Sequence, residues 1–197
     1  MKPTIVAICG ASASGKDYLL KRLAPRLGAS IIVSDTTRPK RKSEVDGVDY
    51  NFVDEDEFLR KVTMGGYLEY SDFRGWYYGT PRESVKPGLN VGVFNRDGLE
   101  SLKRHSYDYK LMVIYMKAPV LVRIKRYIRR DGRFSVECLR RLLVDTRQWF
   151  GFQRHIGDYS YRHLVLKSCG VDKDLESVAQ DVVSILESPP ISMGFLR

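Results

Sequence analysis

The sequence has few cysteines, fewer acidic than basic residues and no long apolar run. Its three cysteines among 197 residues, Cys9, Cys138 and Cys169, form an odd set without C-x-x-C spacing. This pattern argues against a disulfide framework and against a zinc site, and it suits a reducing compartment. No apolar run approaches the roughly 20 residues that span a bilayer, and Gly10 interrupts the short run near the N-terminus. The sequence predicts a cytoplasmic protein without a membrane partner.

Basic residues outnumber acidic ones, 33 to 24, so the net charge is +9 at pH 7. A solvated basic surface, a nucleic-acid interface and a cleft for polyanionic small molecules would each account for this excess. The positions of the arginines decide among the three, because a cleft for phosphorylated ligands needs its cations in one place.

Short apolar runs alternate with helical patterns along most of the chain, which predicts an α/β domain with a parallel sheet flanked by helices. The strands are predicted at residues 4–9, 29–34, 90–94, 110–116 and 163–167. The helices are predicted at residues 16–27, 54–62, 98–105, 119–129, 135–152 and 173–188. Residues 35–86 differ, with charged, aromatic and glycine residues in short alternating pieces, and they predict a small inserted subdomain.

The stretch "GASASGKD" follows the first predicted strand and precedes a helix. It matches the phosphate-binding pattern G-x-x-x-x-G-K-[ST] in all but its last residue. Glycines allow consecutive backbone N–H groups to point at phosphate oxygens, and the lysine adds a positive charge. The sequence therefore predicts an ATP-binding loop, formed by Gly10, Ala11, Ser12, Ala13, Ser14, Gly15, Lys16 and Asp17.

The last position of the loop, Asp17, carries a carboxylate where the pattern has a hydroxyl. Magnesium prefers hard oxygen ligands, so a carboxylate here is compatible with a metal site. Aspartate is also favoured in the first turn of a helix, where it satisfies N–H groups. The residue alone leaves both roles open.

Two arginines lie three residues apart in "SDTTRPKRKSEVDGVDYNF". Arg38 and Arg41 are suited to a phosphate monoester, and Tyr50 could add a neutral donor. The alternative is a solvated basic loop. Further on, Glu69 stands among aromatics and glycines, where it could accept hydrogen bonds from a base edge or lie on a strand surface.

These segments, "SDTTRPKR…EVDGVDYNFV" and "YLEY…YYGT", resemble the two that bind GMP in the guanylate kinase family. The resemblance covers nearly the whole chain and implies magnesium-dependent transfer of the ATP γ-phosphoryl group to GMP or dGMP on a P-loop NTPase-type fold. It implies that the acceptor phosphate is held by Arg38, Arg41, Tyr50 and Tyr78. It further implies that the guanine is read by Ser34, Glu69 and Thr80.

The resemblance also implies a mobile lid whose arginines act with Lys16 in catalysis. The stretch "YIRRDGRFSVECLRR" occupies the place of the lid, and its candidates are Arg129, Arg130, Arg133, Arg140 and Arg141; we single out Arg130, Arg133 and Arg141. One domain over 1–197 is expected, with a core of 1–34, 87–128 and 138–188, a nucleotide-binding insertion at 35–86 and a lid at 129–137. The expected partners are small-molecule nucleotides, not nucleic acid, and the protein is expected to be a monomer or homodimer.

Two departures from the family pattern concern the metal. The loop ends in Asp17, and the family's Asp-x-Asp pair on a later strand is replaced by Val93 and Asn95. Our hypothesis is that Asp17 supplies some of the negative charge that position 93 no longer provides, with Asp97 as a second candidate. The departures keep two alternatives open. One is a ribose 1,5-bisphosphate phosphokinase-like enzyme, because the G-K-D of the loop also resembles that family. The other is a catalytically weak guanylate-kinase-like binding domain.

Overall fold

The centre of the molecule is a five-stranded parallel sheet, seen in a computed structural model that describes residues 2–72, 75–105, 107–132, 136–160, 162–168 and 175–188. The strands in these ranges are β1 (Thr4–Cys9), β2 (Ser30–Ile31), β3 (Asp35–Thr36), β4 (Asn51–Phe52), β5 (Tyr67–Asp72), β6 (Tyr77–Pro81), β7 (Leu89–Val93), β8 (Lys110–Lys117) and β9 (His163–Lys167). The helices are α1 (Lys16–Arg26), α2 (Glu55–Thr63), α3 (Arg96–Arg104), α4 (Val120–Asp131), α5 (Val136–Trp149), α6 (Phe152–His155) and α7 (Leu175–Glu187).

The central sheet has the order β2-β7-β1-β8-β9, and all of its pairs are parallel. Strand β1 is in the middle, so its side chains are buried on both faces. Ile5 and Ala7 pack with residues of α3 and α5, and Val6 and Ile8 pack with residues of α1 and α7. Burial on both faces explains why this strand is an apolar run without alternation. The predicted α/β fold with a parallel sheet flanked by helices is confirmed.

A second, smaller sheet has the order β4-β3-β6-β5, and Phe58 of α2 packs against its strands β5 and β6. Its core is Phe58 of α2, fully buried, which stacks on Tyr67 at 4.5 Å between ring centroids. The buried carboxylate of Asp35 accepts hydrogen bonds from Asn51, from Lys61 and from the Tyr67 hydroxyl, at 2.7 to 3.0 Å. These contacts join the first strand of this sheet to α2 and β5. The sheet lies within residues 35–86. That this range is a nucleotide-binding insertion stays a prediction.

Two predicted elements differ from the structure. Residues 29–34 are predicted as a buried strand, but β2 has only two residues, and Ile31 is 39% exposed. Strand β2 is at the edge of the sheet and pairs with β7 alone, and the chain leaves it at once for the second sheet. The helix predicted at 135–152 is divided by Gly151, whose φ of 69° is left-handed and separates α5 from α6.

No helix within the described ranges is long and apolar enough to cross a membrane. The longest of them, α5, has 14 residues, including several arginines. A transmembrane helix requires about 20 predominantly apolar residues.

Candidate active site

The loop 10–17 joins the end of β1 to the start of α1 at the middle of the sheet. Gly10 has a φ of 141°, and a Cβ there would lie 2.5 Å from the backbone oxygen of Met116 on the neighbouring β8. Gly15 has a φ of 99° and occupies the N-cap position of α1. Both positions therefore require glycine, one for close packing and one for a left-handed turn. The structure confirms the strand–loop–helix context of a phosphate-binding loop.

Lys16 turns back over this loop. Its Nζ donates to the backbone oxygens of Gly10 at 2.9 Å and Ala11 at 3.1 Å. Burial lowers the pKa of its ammonium group, and the negative charges of Asp17 and Asp145 partly oppose that effect. The ammonium group is thus held by carbonyls that a phosphate oxygen could replace as its partners.

One cavity of about 500 Å³ joins this loop to the second sheet. Eleven of the residues predicted to bind ATP or GMP line it: Gly10, Ser12, Ala13, Lys16, Asp17, Ser34, Arg38, Arg41, Tyr50, Glu69 and Tyr78. Its lining does not include Ala11, Ser14, Gly15 or Thr80. The loop predicted to bind ATP and the segments predicted to bind an acceptor therefore face a common space.

The two arginines of the second sheet share one carboxylate, that of Glu44. Arg38 Nη2 donates to both Glu44 oxygens at 2.8 and 3.0 Å, and Arg41 donates through its backbone N–H at 2.8 Å and its Nη1 at 3.0 Å. Glu44 thereby fixes both guanidinium groups at the cavity wall. Sequence reasoning missed Glu44, because a carboxylate within a charged loop looks like any solvated residue; its position three residues after Arg41 was the available signal.

Two tyrosines complete this side of the cavity. The rings of Tyr50 and Tyr78 meet edge to face at 6.0 Å, and the Arg38 guanidinium lies 5.6 Å from the centre of the Tyr50 ring. Burial raises the pKa of the Tyr50 hydroxyl, and the negative charge of Asp17 adds to the effect. Tyr50 is therefore a neutral hydroxyl that can donate to an anion.

Glu69 is the buried carboxylate of the second sheet, only 7% exposed. Its Oε1 accepts a hydrogen bond from the Thr80 hydroxyl at 2.6 Å. Its Oε2 lies close to Gly98 of α3, where a Cβ would be 2.9 Å away, so only glycine allows this approach. Burial raises the pKa of Glu69 to about 7, although the Thr80 hydrogen bond opposes the shift. Among the described residues, Thr80 is the hydrogen-bond donor to Glu69, so the carboxylate can accept further bonds from a ligand that presents N–H donors.

The wall where the family pattern has two aspartates carries Val93 and Asn95. Asn95 caps α3, since its Oδ1 accepts from the Gly98 N–H at 2.7 Å, and its Nδ2 donates to Ser71 Oγ at 3.0 Å. Asp97 is exposed in the first turn of α3 and is not part of the cavity lining. The acidic residues lining this cavity are therefore Asp17, Glu69 and Asp145.

Asp17 itself lies exposed in the first turn of α1 and contacts the cavity. The N-cap position belongs to Gly15, and no side chain makes a cap hydrogen bond there. The carboxylate is consequently available to the cavity.

The arginines of the predicted lid are only partly described. Arg133 lies outside the described residues, as do the side chains of Arg130 on α4 and Arg141 on α5. Arg140 on α5 lines the cavity, whereas Arg129 is exposed and is not in its lining.

The chain is similar to known proteins over almost its whole length. A family model described as guanylate kinase matches residues 1–187. The guanylate kinase of Thermotoga maritima is 33% identical over 193 residues, covering 95% of this chain and 88% of that protein. The guanylate kinase of Thermus thermophilus is 32% identical over 177 residues, covering 87% and 79%. A crystal structure of guanylate kinase from Anaplasma phagocytophilum shares the fold, with a TM-score of 0.58 at 23% identity over 94% of this chain and 85% of that one. The chain therefore belongs to the guanylate kinase family.

Proposed function

We propose that the protein transfers the γ-phosphoryl group of ATP to GMP or dGMP. The observation that carries this proposal is the single cavity in which Lys16 of the phosphate loop faces Arg38, Arg41 and the buried carboxylate of Glu69. Phosphoryl transfer needs little covalent help from side chains; it needs two phosphorylated substrates held in line and their charge neutralised. This cavity concentrates cations for both substrates, which also accounts for the excess of positive charge.

The acceptor nucleotide would be held at both of its ends. Arg38 and Arg41, fixed by Glu44, and the hydroxyls of Tyr50 and Tyr78 are the groups proposed for its phosphate. For the guanine we propose Ser34, Glu69 and Thr80. A guanine base presents two N–H donors on one edge, and an ionised carboxylate can accept both. Thr80 lies behind Glu69 and orients it through the 2.6 Å hydrogen bond.

The donor nucleotide would bind the loop 10–17, with Lys16 on its terminal phosphates. Arg130, Arg133 and Arg141 are proposed to close over them as a lid at 129–137, which would exclude water during transfer. We propose that the partners of the protein are nucleotides and that the protein is a monomer or a homodimer.

Magnesium is the metal that this chemistry would use, and it would neutralise charge on the transferring phosphates. Magnesium is often held by one or two carboxylates together with substrate phosphates. The described residues contain no group of three or more His, Cys, Asp or Glu side chains arranged to hold a metal. Asp17, a single carboxylate beside Lys16 at the cavity, fits a magnesium ion held by one carboxylate together with substrate phosphates. We propose Asp17 as the protein's ligand, in compensation for Val93.

Substituting Asp17 by serine restores the usual loop residue and tests that compensation. We expect the magnesium concentration for half-maximal rate to rise by about tenfold or more, because the cavity wall offers no second carboxylate at position 93. The measurement is initial rate against magnesium concentration. Asp97→Asn is the matched control and should behave like the wild type. An unchanged magnesium dependence and rate in Asp17→Ser would end the hypothesis.

The raised pKa of Glu69 makes GMP binding depend on pH. Below pH 7 the carboxyl group is protonated and cannot accept from both guanine donors, so we expect the KM for GMP to fall about tenfold between pH 6 and pH 8. Rising pH has the opposite effect on the stability of the protein without GMP: it is unfavourable. The folded state holds this proton more tightly than the unfolded state, so this group lowers the free energy of unfolding as pH rises from 4.5 to about 7. A Glu69→Gln series corrects for ionisation of the GMP phosphate, and an equal pH dependence in both would refute the assignment.

The function is tested by ADP formation from ATP and magnesium with GMP, dGMP, AMP, CMP, UMP and ribose 1,5-bisphosphate as acceptors. We expect turnover with GMP and dGMP alone. Turnover of ribose 1,5-bisphosphate would contradict the guanine assignment. If no acceptor reacts and ATP does not raise the melting temperature, the enzyme assignment is wrong, since a ligand of the folded state must stabilise it.

A further inference from the structure

A buried ion pair between Arg123 and Asp145 hydrogen-bonds to the phosphate loop. We propose that Asp145 of α5, held by Arg123 of α4, is a positioning residue that sets the conformation of the loop for ATP. The inference rests on the proposed function.

The contacts converge on one residue of the loop, Ser12. Its backbone N–H donates to Asp145 Oδ2 at 3.0 Å, and its hydroxyl donates to Asp145 Oδ1 at 3.3 Å. Its backbone oxygen accepts from Arg123 Nε at 2.9 Å. Arg123 Nη2 closes the ring by donating to Asp145 Oδ2 at 2.5 Å. Every polar group of Ser12 is thus engaged by this pair.

The next two backbone oxygens of the loop face the same helix. Arg126 Nη1 donates to the oxygens of Ala13 at 3.1 Å and Ser14 at 2.9 Å. Ala13 has a φ of 60°, which is uncommon for a residue with a side chain and must be held by its surroundings. In a planar trans peptide the C=O and the following N–H point in opposite directions. The oxygens of Ser12 and Ser14 are turned to α4. The N–H groups that follow them in the same peptide planes, those of Ala13 and Gly15, are therefore turned away from that helix.

The burial of the pair makes this arrangement rigid and costly to break. The side chains of Arg123 and Asp145 are 4% and 3% exposed. Removal of one charge would leave the other buried without its partner, which is strongly destabilising. Asp145 also lines the cavity and is one of the two carboxylates whose charge favours the protonated form of Lys16. A purely structural pair would not need to hydrogen-bond to the loop through Ser12.

The test compares Asp145→Asn with Arg147→Ala, an exposed position on the same helix. We expect Asp145→Asn to raise the KM for ATP, and the Kd for ADP measured by calorimetry, by about tenfold, because a charged acceptor is lost at Ser12. The KM for GMP should change by less than about twofold, since the acceptor residues are untouched. Arg147→Ala should match the wild type in every constant.

A double variant, Arg123→Gln with Asp145→Asn, separates positioning from stability. Without buried charges it should recover most of the melting temperature lost by Asp145→Asn, yet keep the weakened ADP affinity. Recovery of ADP affinity together with stability would overturn the inference, as would an unchanged ADP affinity in a folded Asp145→Asn. Failure of the wild type itself to bind ADP or ATP would instead overturn the proposed function, and this inference with it.

Discussion

Replacement of Lys16 by methionine is expected to lower kcat/KM by roughly a thousandfold, the upper range for removing one charge-stabilising group from an active site. The ammonium group is held over the loop by the oxygens of Gly10 and Ala11, at the wall of the shared cavity. Methionine keeps an unbranched side chain one atom shorter and removes the ammonium group, with its hydrogen-bond donors and the charge that would neutralise the transferring phosphate. The measurement is steady-state ADP formation with GMP as acceptor.

The fold should survive this change. Burial already disfavours the ammonium group, as its lowered pKa shows, so an apolar side chain relieves that cost. The melting temperature without nucleotide should be equal to that of the wild type or higher. Lys110→Met is a suitable control, because Lys110 is exposed where β8 begins, at the opposite end of the strand from the phosphate loop. Retention of even about a third of the wild-type kcat/KM by Lys16→Met would refute the assignment of Lys16.

Glu69→Gln is expected to reduce kcat/KM for GMP by about a hundredfold while leaving the KM for ATP unchanged. A neutral amide offers one acceptor in place of two and turns an N–H group toward the N–H groups of the guanine. Lost hydrogen bonds to a charged group, with a buried donor left unpaired, account for a loss of that size. The comparison of kcat/KM across GMP, dGMP and AMP measures the loss of preference directly.

The same variant should be more stable than the wild type above pH 7. There the wild type must keep a buried carboxylate ionised, whereas glutamine carries no charge, so the difference in stability grows between pH 4.5 and about 7 and stays constant above that range. Glu55→Gln, an exposed position in the first turn of α2, is the control for loss of an acidic residue. A Glu69→Gln protein that is both less stable at pH 8 and equally active with GMP would contradict the role given to Glu69.

The central sheet was predictable because strands buried on both faces are continuous apolar runs. The strand predicted at 163–167 has those bounds in the structure, and the strand predicted at 110–116 extends one residue further, to Lys117. The run at 29–34 has the same apolar texture, but β2 is short because it lies at the edge, with one neighbour. The number of neighbours a strand has depends on distant parts of the chain, and no local pattern records it.

The residues of the candidate site were also predictable only in part. Motif spacing singled out Arg38, Arg41 and Glu69, and the structure brings them to one cavity, although their roles stay predictions. Asp145 was not found from the sequence, because it lies 133 residues from Ser12 and sits in an ordinary helical pattern. Its importance comes only from what it contacts. The lid arginines Arg130, Arg133 and Arg141 rest on the family resemblance alone.

The second sheet begins and ends beside two strands that are neighbours in the core. The chain leaves after β2 and returns at β7, and these strands pair through Ser30 with Asn90 and Ile31 with Val91. The core therefore fixes both ends of the excursion, and the entropy of closing such a loop grows only slowly with its length. The segment between β2 and β7 could therefore change in length or sequence without a change in the register of the central sheet. An architecture of this kind lets the proposed acceptor segment change in evolution while the proposed ATP-binding loop keeps its place in the core.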